Sequence, residues 1–334
     1  MRNFFYTIPI LFFLATVAQT GCSKDDGILW NTLAHVFRNA YENRETIRWH
    51  QKHAWKAEEF FDDPKVIALC NAIDAKDLKE IDRLVASGAD ANAKGKGNMT
   101  PLLWSFSEDN QEVFKRILEH GANPNVVVTS DFNTKGIHLG DSVLHFAAGM
   151  AYPNFFKYVM QHGGDPNLID KDGDSPLKSV LRSTRSNKQE DVQLLIDAGA
   201  NLDYGIDTGD TASYMSLLSG RYSITLQLLE AGASFHYFDE KKGYSFVHRI
   251  VPNPFRKKPP GDIAIAIPEE EPYRERILEW LEANGVDLAE IRKDFEIWAK
   301  GGKLSPERIA ELKKRSEDEL ASKRAAKENK AMKE

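Results

Sequence analysis

Apolar residues in this chain recur at helical spacing, in short blocks that each run into a glycine. Val113, Phe114, Ile117 and Leu118 precede Gly121. Val192, Leu194, Leu195 and Ile196 precede Gly199, and Ile224, Leu226, Leu228 and Leu229 precede Gly232. The blocks predict amphipathic helices, with glycine at the left-handed position that ends each one. Each glycine also opens a phrase: Gly88-Ala89-Asp90-Ala91-Asn92, Gly121-Ala122-Asn123-Pro124-Asn125, Gly163-Gly164-Asp165-Pro166-Asn167, Gly199-Ala200-Asn201-Leu202-Asp203, Gly232-Ala233-Ser234-Phe235-His236, and a weaker Gly285-Val286-Asp287. Gly88 and Gly121 lie 33 residues apart, as do Gly199 and Gly232. A fixed period of that size predicts stacked repeats, which pack only on their neighbours and commonly bind rather than catalyse.

A second signature marks where helices begin. Thr100-Pro101-Leu102, Ser142-Val143-Leu144-His145-Phe146-Ala147-Ala148, Ser175-Pro176-Leu177 and Thr211-Ala212-Ser213 place a capping hydroxyl before a helix. Proline suits the first turn, where its missing N–H would be unpaired anyway. Turn residues stand ahead: Asn98, Gly140, Asp172-Gly173 and Thr208-Gly209. Together these residues resemble the ankyrin repeat family. The resemblance covers roughly 64–288 and implies an all-α fold, an ankyrin-repeat solenoid of about six helix-turn-helix repeats with β-turn fingers. The expected organisation is a signal peptide over 1–21, a tether and helical N-terminal cap over 22–62, the repeats over 63–288, and a C-terminal capping helix with a charged tail over 289–334. Two repeats keep the proline, Ser213 stands where a buried leucine is usual, and Gly243-Tyr244-Ser245-Phe246-Val247-His248 is a degenerate sixth signature.

The period breaks in three places. Gly121 to Gly163 spans 42 residues, Gly163 to Gly199 spans 36, and Gly232 to Gly285 spans 53. The extra chain falls in Val126–Leu139, Ser183–Glu190 and a proline-rich insert, Pro252–Pro272. Insertions in a solenoid become loops on one face, often the binding face. The resemblance places partner contacts on the turn tips and on the exposed side of the first helices, around a concave groove. By repeat alignment these are Lys94, Lys96, Met99, Glu108, His138, Asp141, Met150, Lys171, Asp172, Asp174, Arg182, Asp207, Asp210, Lys241 and Tyr244. Phe255, in the insert, joins them. The competing reading of each is a solvated turn residue. Their mixed charges favour a protein partner over a polyanion.

The chain starts Met1-Arg2-Asn3, runs apolar from Phe4 to Ala18, and reaches Gln19-Thr20-Gly21-Cys22. The apolar run is short for a membrane helix and has the layout of a secretory signal. Its Gly-Cys end resembles a bacterial lipoprotein signal, which implies a lipid on Cys22 and a periplasm-facing protein, with Ser23 favouring the outer membrane. Gln19 departs from the usual leucine. An ordinary cleaved signal and a retained anchor are the alternatives. Lipidation of Cys22 would leave Cys70 alone, as a small core hydrophobe among Val66, Ile67 and Leu69.

Other chemistry is thin. Asp170-Lys171-Asp172-Gly173-Asp174 has its glycine too early for a calcium loop, and the twelfth position is Leu181 rather than Glu. His50 and His53 share a helical face without an evident third ligand. Ser142 and Ser245 lack the Gly-x-Ser-x-Gly frame, and no phosphate-binding or dinucleotide fingerprint occurs. No cofactor is expected, and a net charge of −6 argues against nucleic acid. Trp49, Trp55, Phe60 and Phe61 suggest an aromatic cap on the first repeat. Residues 305–334, rich in Lys, Arg, Glu and Ala, read as a solvated helix or frayed tail, with a partner-binding helix as the alternative.

The lipoprotein signal, aromatic cap and repeats together resemble bacterial ankyrin lipoproteins associated with antibacterial secretion. Some act as immunity proteins against type VI secreted phospholipase effectors. That resemblance implies a toxin inhibitor acting by steric occlusion, membrane-associated through its lipid only. A periplasmic scaffold for envelope assembly or stress tolerance is the alternative.

Overall fold

The computed structural model describes residues 55–106, 110–130, 132, 139–149, 153–183, 188–235, 237–239, 243–255 and 267–331, without the side chains of 153, 207, 320, 323, 324 and 326–331. The expected signal segment, Cys22, Trp49, His50 and His53 lie outside the described residues.

Six helix pairs follow one another. They are α1 (Pro64–Asp74) with α2 (Leu78–Ala86), α3 (Pro101–Trp104) with α4 (Gln111–Glu119), and α5 (Val143–Gly149) with α6 (Pro153–Gln161). Then come α7 (Pro176–Arg182) with α8 (Lys188–Asp197), α9 (Ala212–Leu218) with α10 (Tyr222–Glu230), and α11 (Phe246–Ile250) with α12 (Glu271–Ala283). Two further helices, α13 (Leu288–Ala299) and α14 (Pro306–Ala331), close the chain. In the second, fourth and fifth pairs the first helix begins where the hydroxyls predict. Thr100 accepts from the Leu103 N–H, Ser175 from Lys178 and Thr211 from Tyr214. The phrase glycines end the second helices with positive φ, from +80° at Gly199 to +93° at Gly88. A Cβ at Gly199 would meet nothing within 4 Å, so backbone conformation alone demands glycine there.

The phrases lock adjacent repeats together. Asn92 Oδ1 accepts from the Asn123 N–H at 2.7 Å, and its Nδ2 donates to the Gly121 carbonyl at 2.9 Å. Asn125 does the same with Asp165 and Gly163, and Asn167 with Asn201 and Gly199. Asp203 accepts from the Ser234 N–H at 2.6 Å, and its carboxylate has no N–H to donate. Each rung is held rigid from its own side. Asp90, Asn123, Asp165 and Asn201 accept from the N–H two residues on, forming Asx turns.

Two apolar clusters fill the stack. One runs from Ala57 to Ala233 and the other from Tyr214 to Leu312. They meet in the fifth pair, where Ala212, Ile224 and Leu228 face the first and Tyr214, Leu217, Leu226 and Leu229 face the second. Between them lies a bonded hydroxyl layer. Ser213 Oγ donates to the Ser234 carbonyl at 2.5 Å, and Ser216 Oγ meets Thr225 Oγ1 at 2.9 Å. Ser213 thus replaces the usual leucine's packing with a hydrogen bond into the following turn.

Both ends are covered. Trp55, Phe60, Trp104 and Phe132 form an edge-packed aromatic group over the first repeats, with ring centroids 4.9–5.8 Å apart. Trp104 Nε1 donates to Asp74 at 3.0 Å. Cys70 is buried beneath as a free thiol, and burial pushes its pKa up. At the other end the expectation of a solvated tail is corrected for the first half of α14. Ile309 and Leu312 join the second core, Arg308 binds Asp294, Glu290 and Glu311, and Arg315 donates to the Gly285 carbonyl. Glu319 accepts from Ser234 Oγ and the Phe235 N–H, at 2.7 and 2.9 Å, on the last phrase of the ladder. The apolar face is only a few residues wide and ion pairs supply the rest, so hydropathy does not reveal the docking. The stem returning from the proline-rich insert is tied as well. Glu270 accepts from the Ser223 N–H and hydroxyl and so caps α10.

Asn125→Ala removes both bonds of one rung. We expect a loss of about 1–3 kcal/mol in urea unfolding, at 0.5–1.5 per bond. Asn125→Asp keeps only the acceptor and should fall between that variant and the wild type.

Candidate partner-binding face

Between the helix pairs the chain turns back on itself in fingers that lie side by side. The second finger closes through the Gly95 N–H on the Met99 carbonyl at 2.8 Å, and Lys96 N–H reaches Phe60 O of the aromatic cap. The third is pinned to the second by the Thr129 N–H on Gly97 O and by Asn98 Nδ2 on Val127 O. The fourth is a tight turn in which Asp170 Oδ1 accepts from the Asp172 and Asp174 N–H groups. The motif that superficially resembles a calcium loop therefore spends its first carboxylate on its own backbone. The sixth finger is a hairpin of β1 (Phe238–Asp239) and β2 (Tyr244–Ser245), with Phe238 opposite Ser245.

The expected contact residues divide sharply. Lys94, Lys96, Lys171 and Asp172 are exposed, and Asp141 and Asp210 are partly so. Phe255 stands 52% exposed. Met99 is corrected: at 0% exposure it is a core side chain beneath the second finger, with no surface to offer. Asp174 and Arg182 are corrected likewise. They pair with each other at 9% and 14% side-chain exposure and hold the fourth finger to its helix. Tyr244 stacks on Trp298 at 4.5 Å with Arg249 over its ring, so it is anchored rather than free-standing. Glu108, His138, Met150 and Lys241, and the side chain of Asp207, lie outside the described residues.

Several residues that the sequence reading passed over complete this face. Lys178 is buried at 5% side-chain exposure, reaches Asp210 at 2.7 Å and lies 5.4 Å from the centre of the Tyr204 ring. Tyr214 stacks on Tyr237 at 3.7 Å, and Tyr237 lies against Gly209, where a Cβ would come within 3.1 Å of the ring. Alignment offered a signal. Ser175-Pro176-Leu177-Lys178 matches Ser142-Val143-Leu144-His145, so Lys178 stands at the histidine position.

The ankyrin repeat family model matches residues 97–128, one repeat from the second finger to the third. The putative ankyrin repeat protein R664 of Acanthamoeba polyphaga mimivirus is 32% identical over 74 residues. That match takes in 22% of this chain and spans about half of the relative, 46%. The crystal structure of the ankyrin repeat domain of Bcl-3, described as a unique member of the IkappaB protein family, aligns with 55% of this chain and 78% of its own. Its TM-score is 0.42 at 21% identity. The matched repeat recurs along the chain as capped helix pairs, turn fingers and left-handed glycines. The fold is an ankyrin-repeat solenoid.

Within this ankyrin frame, an apparent catalytic trio resolves into a staple. Ser245 Oγ lies 2.8 Å from His248 Nδ1, and His248 Nε2 lies 3.1 Å from Asp294. His145 shows the same geometry, with Ser142 at 2.9 Å and the Leu168 carbonyl at 3.0 Å in place of the carboxylate. Nucleophilic catalysis needs a serine that substrate can reach. Here all three side chains are buried, and Arg308 already binds Asp294. The histidine instead ties its helix start to the next structural unit. Among the described residues nothing points to catalysis, and no group of His, Cys, Asp or Glu is placed to hold a metal.

Burial holds the His248 imidazole below its ordinary value of 6.5, against the pull of Asp294. Its folded pKa is therefore lower than its unfolded one. The stability it contributes is full above the unfolded value and is lost as pH falls below it. Between pH 7 and pH 5, the protection of α13 and α14 amides, measured against the intrinsic exchange rate at each pH, should fall progressively. His248→Gln should flatten that dependence.

Proposed function

We propose that this chain binds a protein partner on its finger face and that the partner is a secreted antibacterial toxin of phospholipase type. Binding covers the toxin's active-site entrance and neutralises it. A lipid on Cys22 would hold the inhibitor on the periplasmic side of a membrane; among the described residues no helix is long and apolar enough to cross one. Tethering beside the toxin's substrate raises the local concentration of inhibitor.

The observation that carries the binding reading is the row of anchored aromatic and charged side chains on adjacent fingers. Tyr204, Tyr237 and Tyr244 are partly exposed yet already packed against neighbours. Tyrosine and arginine dominate the energetics of protein interfaces, and side chains that are already ordered lose little entropy on binding. The finer reading, immunity against a toxin, rests on the resemblance of the lipoprotein signal, aromatic cap and repeats.

The test uses the purified protein as bait in extract of the producing organism, from cells expressing their secreted effectors. Immunity predicts one dominant secreted hydrolase, recovered in stoichiometric amount and inactive while bound. Recovery of envelope-assembly proteins without a secreted enzyme contradicts immunity and leaves a scaffold.

A further inference from the structure

The fourth finger, the fifth (residues 205–210) and the sixth carry a charge arrangement with a direction. Lys178 and Arg182 point inward, at 5% and 14% side-chain exposure, while Asp210 over Lys178 is 47% exposed. Asp172 stands exposed at the tip of the fourth finger. Lys171 beside it leans on the third finger, where a Cβ on Gly140 would fall 2.6 Å from its own Cβ. A partner approaching these fingers meets Asp172 and Asp210, with Lys178 and Arg182 underneath and already engaged and Lys171 at the tip beside Asp172.

The aromatic rings share this polarity. Tyr204 takes the Lys178 ammonium 5.4 Å from its ring centre, and Tyr244 takes the Arg249 guanidinium at the same distance. Tyr237 is backed by Tyr214, and Tyr244 by Trp298. An aromatic face attracts cations through its quadrupole, and a neighbouring carboxylate adds to that attraction. Among the described residues, an acidic segment at the same place would face Asp172 and Asp210, with Lys178 and Arg182 already paired and Lys171 exposed beside Asp172.

We propose that the surface formed by Tyr204, Tyr237 and Tyr244 with Asp172 and Asp210 receives a lysine- or arginine-bearing segment of the protein partner. This rests on the reading of the finger face as a protein-binding surface and adds the chemistry of what it binds. The cationic heads lie against the tyrosine rings and pair with the outward carboxylates. Because both sets of groups are pre-positioned on packed fingers, recognition requires no rearrangement of the stack.

The probe is a peptide of about twelve residues with an arginine at every third position between glycine and serine, compared with its glutamate counterpart. Binding to the purified protein is followed by amide chemical shifts and by tryptophan fluorescence. The arginine peptide should bind saturably, weaken with salt, and shift the amides of Tyr204, Tyr237 and Tyr244. Asp172→Lys, at an exposed tip with no packing role, should weaken it about threefold or more, the scale of an exposed ion pair reversed. Circular dichroism of that variant should match the wild type. No binding, equal binding of the glutamate peptide, or indifference to Asp172→Lys overturns the proposal. A protein partner that docks on these fingers through an acidic segment also overturns it, while leaving the finger face as a binding surface.

Discussion

A side chain that bonds to the backbone of the next repeat sets the geometry of everything else. Asn92, Asn125 and Asn167 each accept from one N–H and donate to one carbonyl of the following phrase. Those backbone groups belong to the glycine turns that end each second helix, so the rung fixes the separation of adjacent helix pairs and the direction in which the next finger departs. Hydrophobic packing between the pairs supplies most of the attraction but is not directional. The ladder adds the direction. Asparagine suits the task because one short side chain carries both an acceptor and a donor.

The ladder weakens at Asp203, in the same repeat where the two apolar clusters meet across a hydroxyl layer. One further helix pair, α11 with α12, follows before α13 and α14. Asp294 on α13 takes the His248 contact that a finger carbonyl takes for His145, and Glu319 on α14 bonds to the phrase at the ladder's end. Two helices thereby do the work of a seventh repeat while presenting a charged outer surface. The aromatic group around Trp55 and Phe60 closes the opposite end. The proposed finger face lies on the sides that these two covered ends of the described stack leave.

Much of this was legible in the residues. Glycine at the end of a helical block predicts positive φ because other residues resist it, and Thr100, Ser175 and Thr211 announce helix starts through the cap their hydroxyls make. The aromatic cap was legible from its composition. The docking of α14 was not, because Arg308 and Glu319 look like ordinary charges on a polar helix until their partners 14 and 85 residues away are known. The finger face was legible in outline only. Alignment selects positions, but Met99 follows a tight turn and falls inward, and Asp174 finds Arg182 one helix along. Tyr204 and Tyr237 escaped notice because each stands beside the aligned tip position and rests on the glycine of the preceding finger.

The most direct test concerns the ladder itself. The N–H groups of Asn123, Asp165 and Asn201 belong to turn residues open to solvent, yet each is bonded to the preceding repeat. Native-state hydrogen exchange of these three amides should proceed only through unfolding of whole repeats, with protection comparable to helix-core amides. Exchange at the rate of open surface turns would show that the rungs do not hold the stack and would contradict the account.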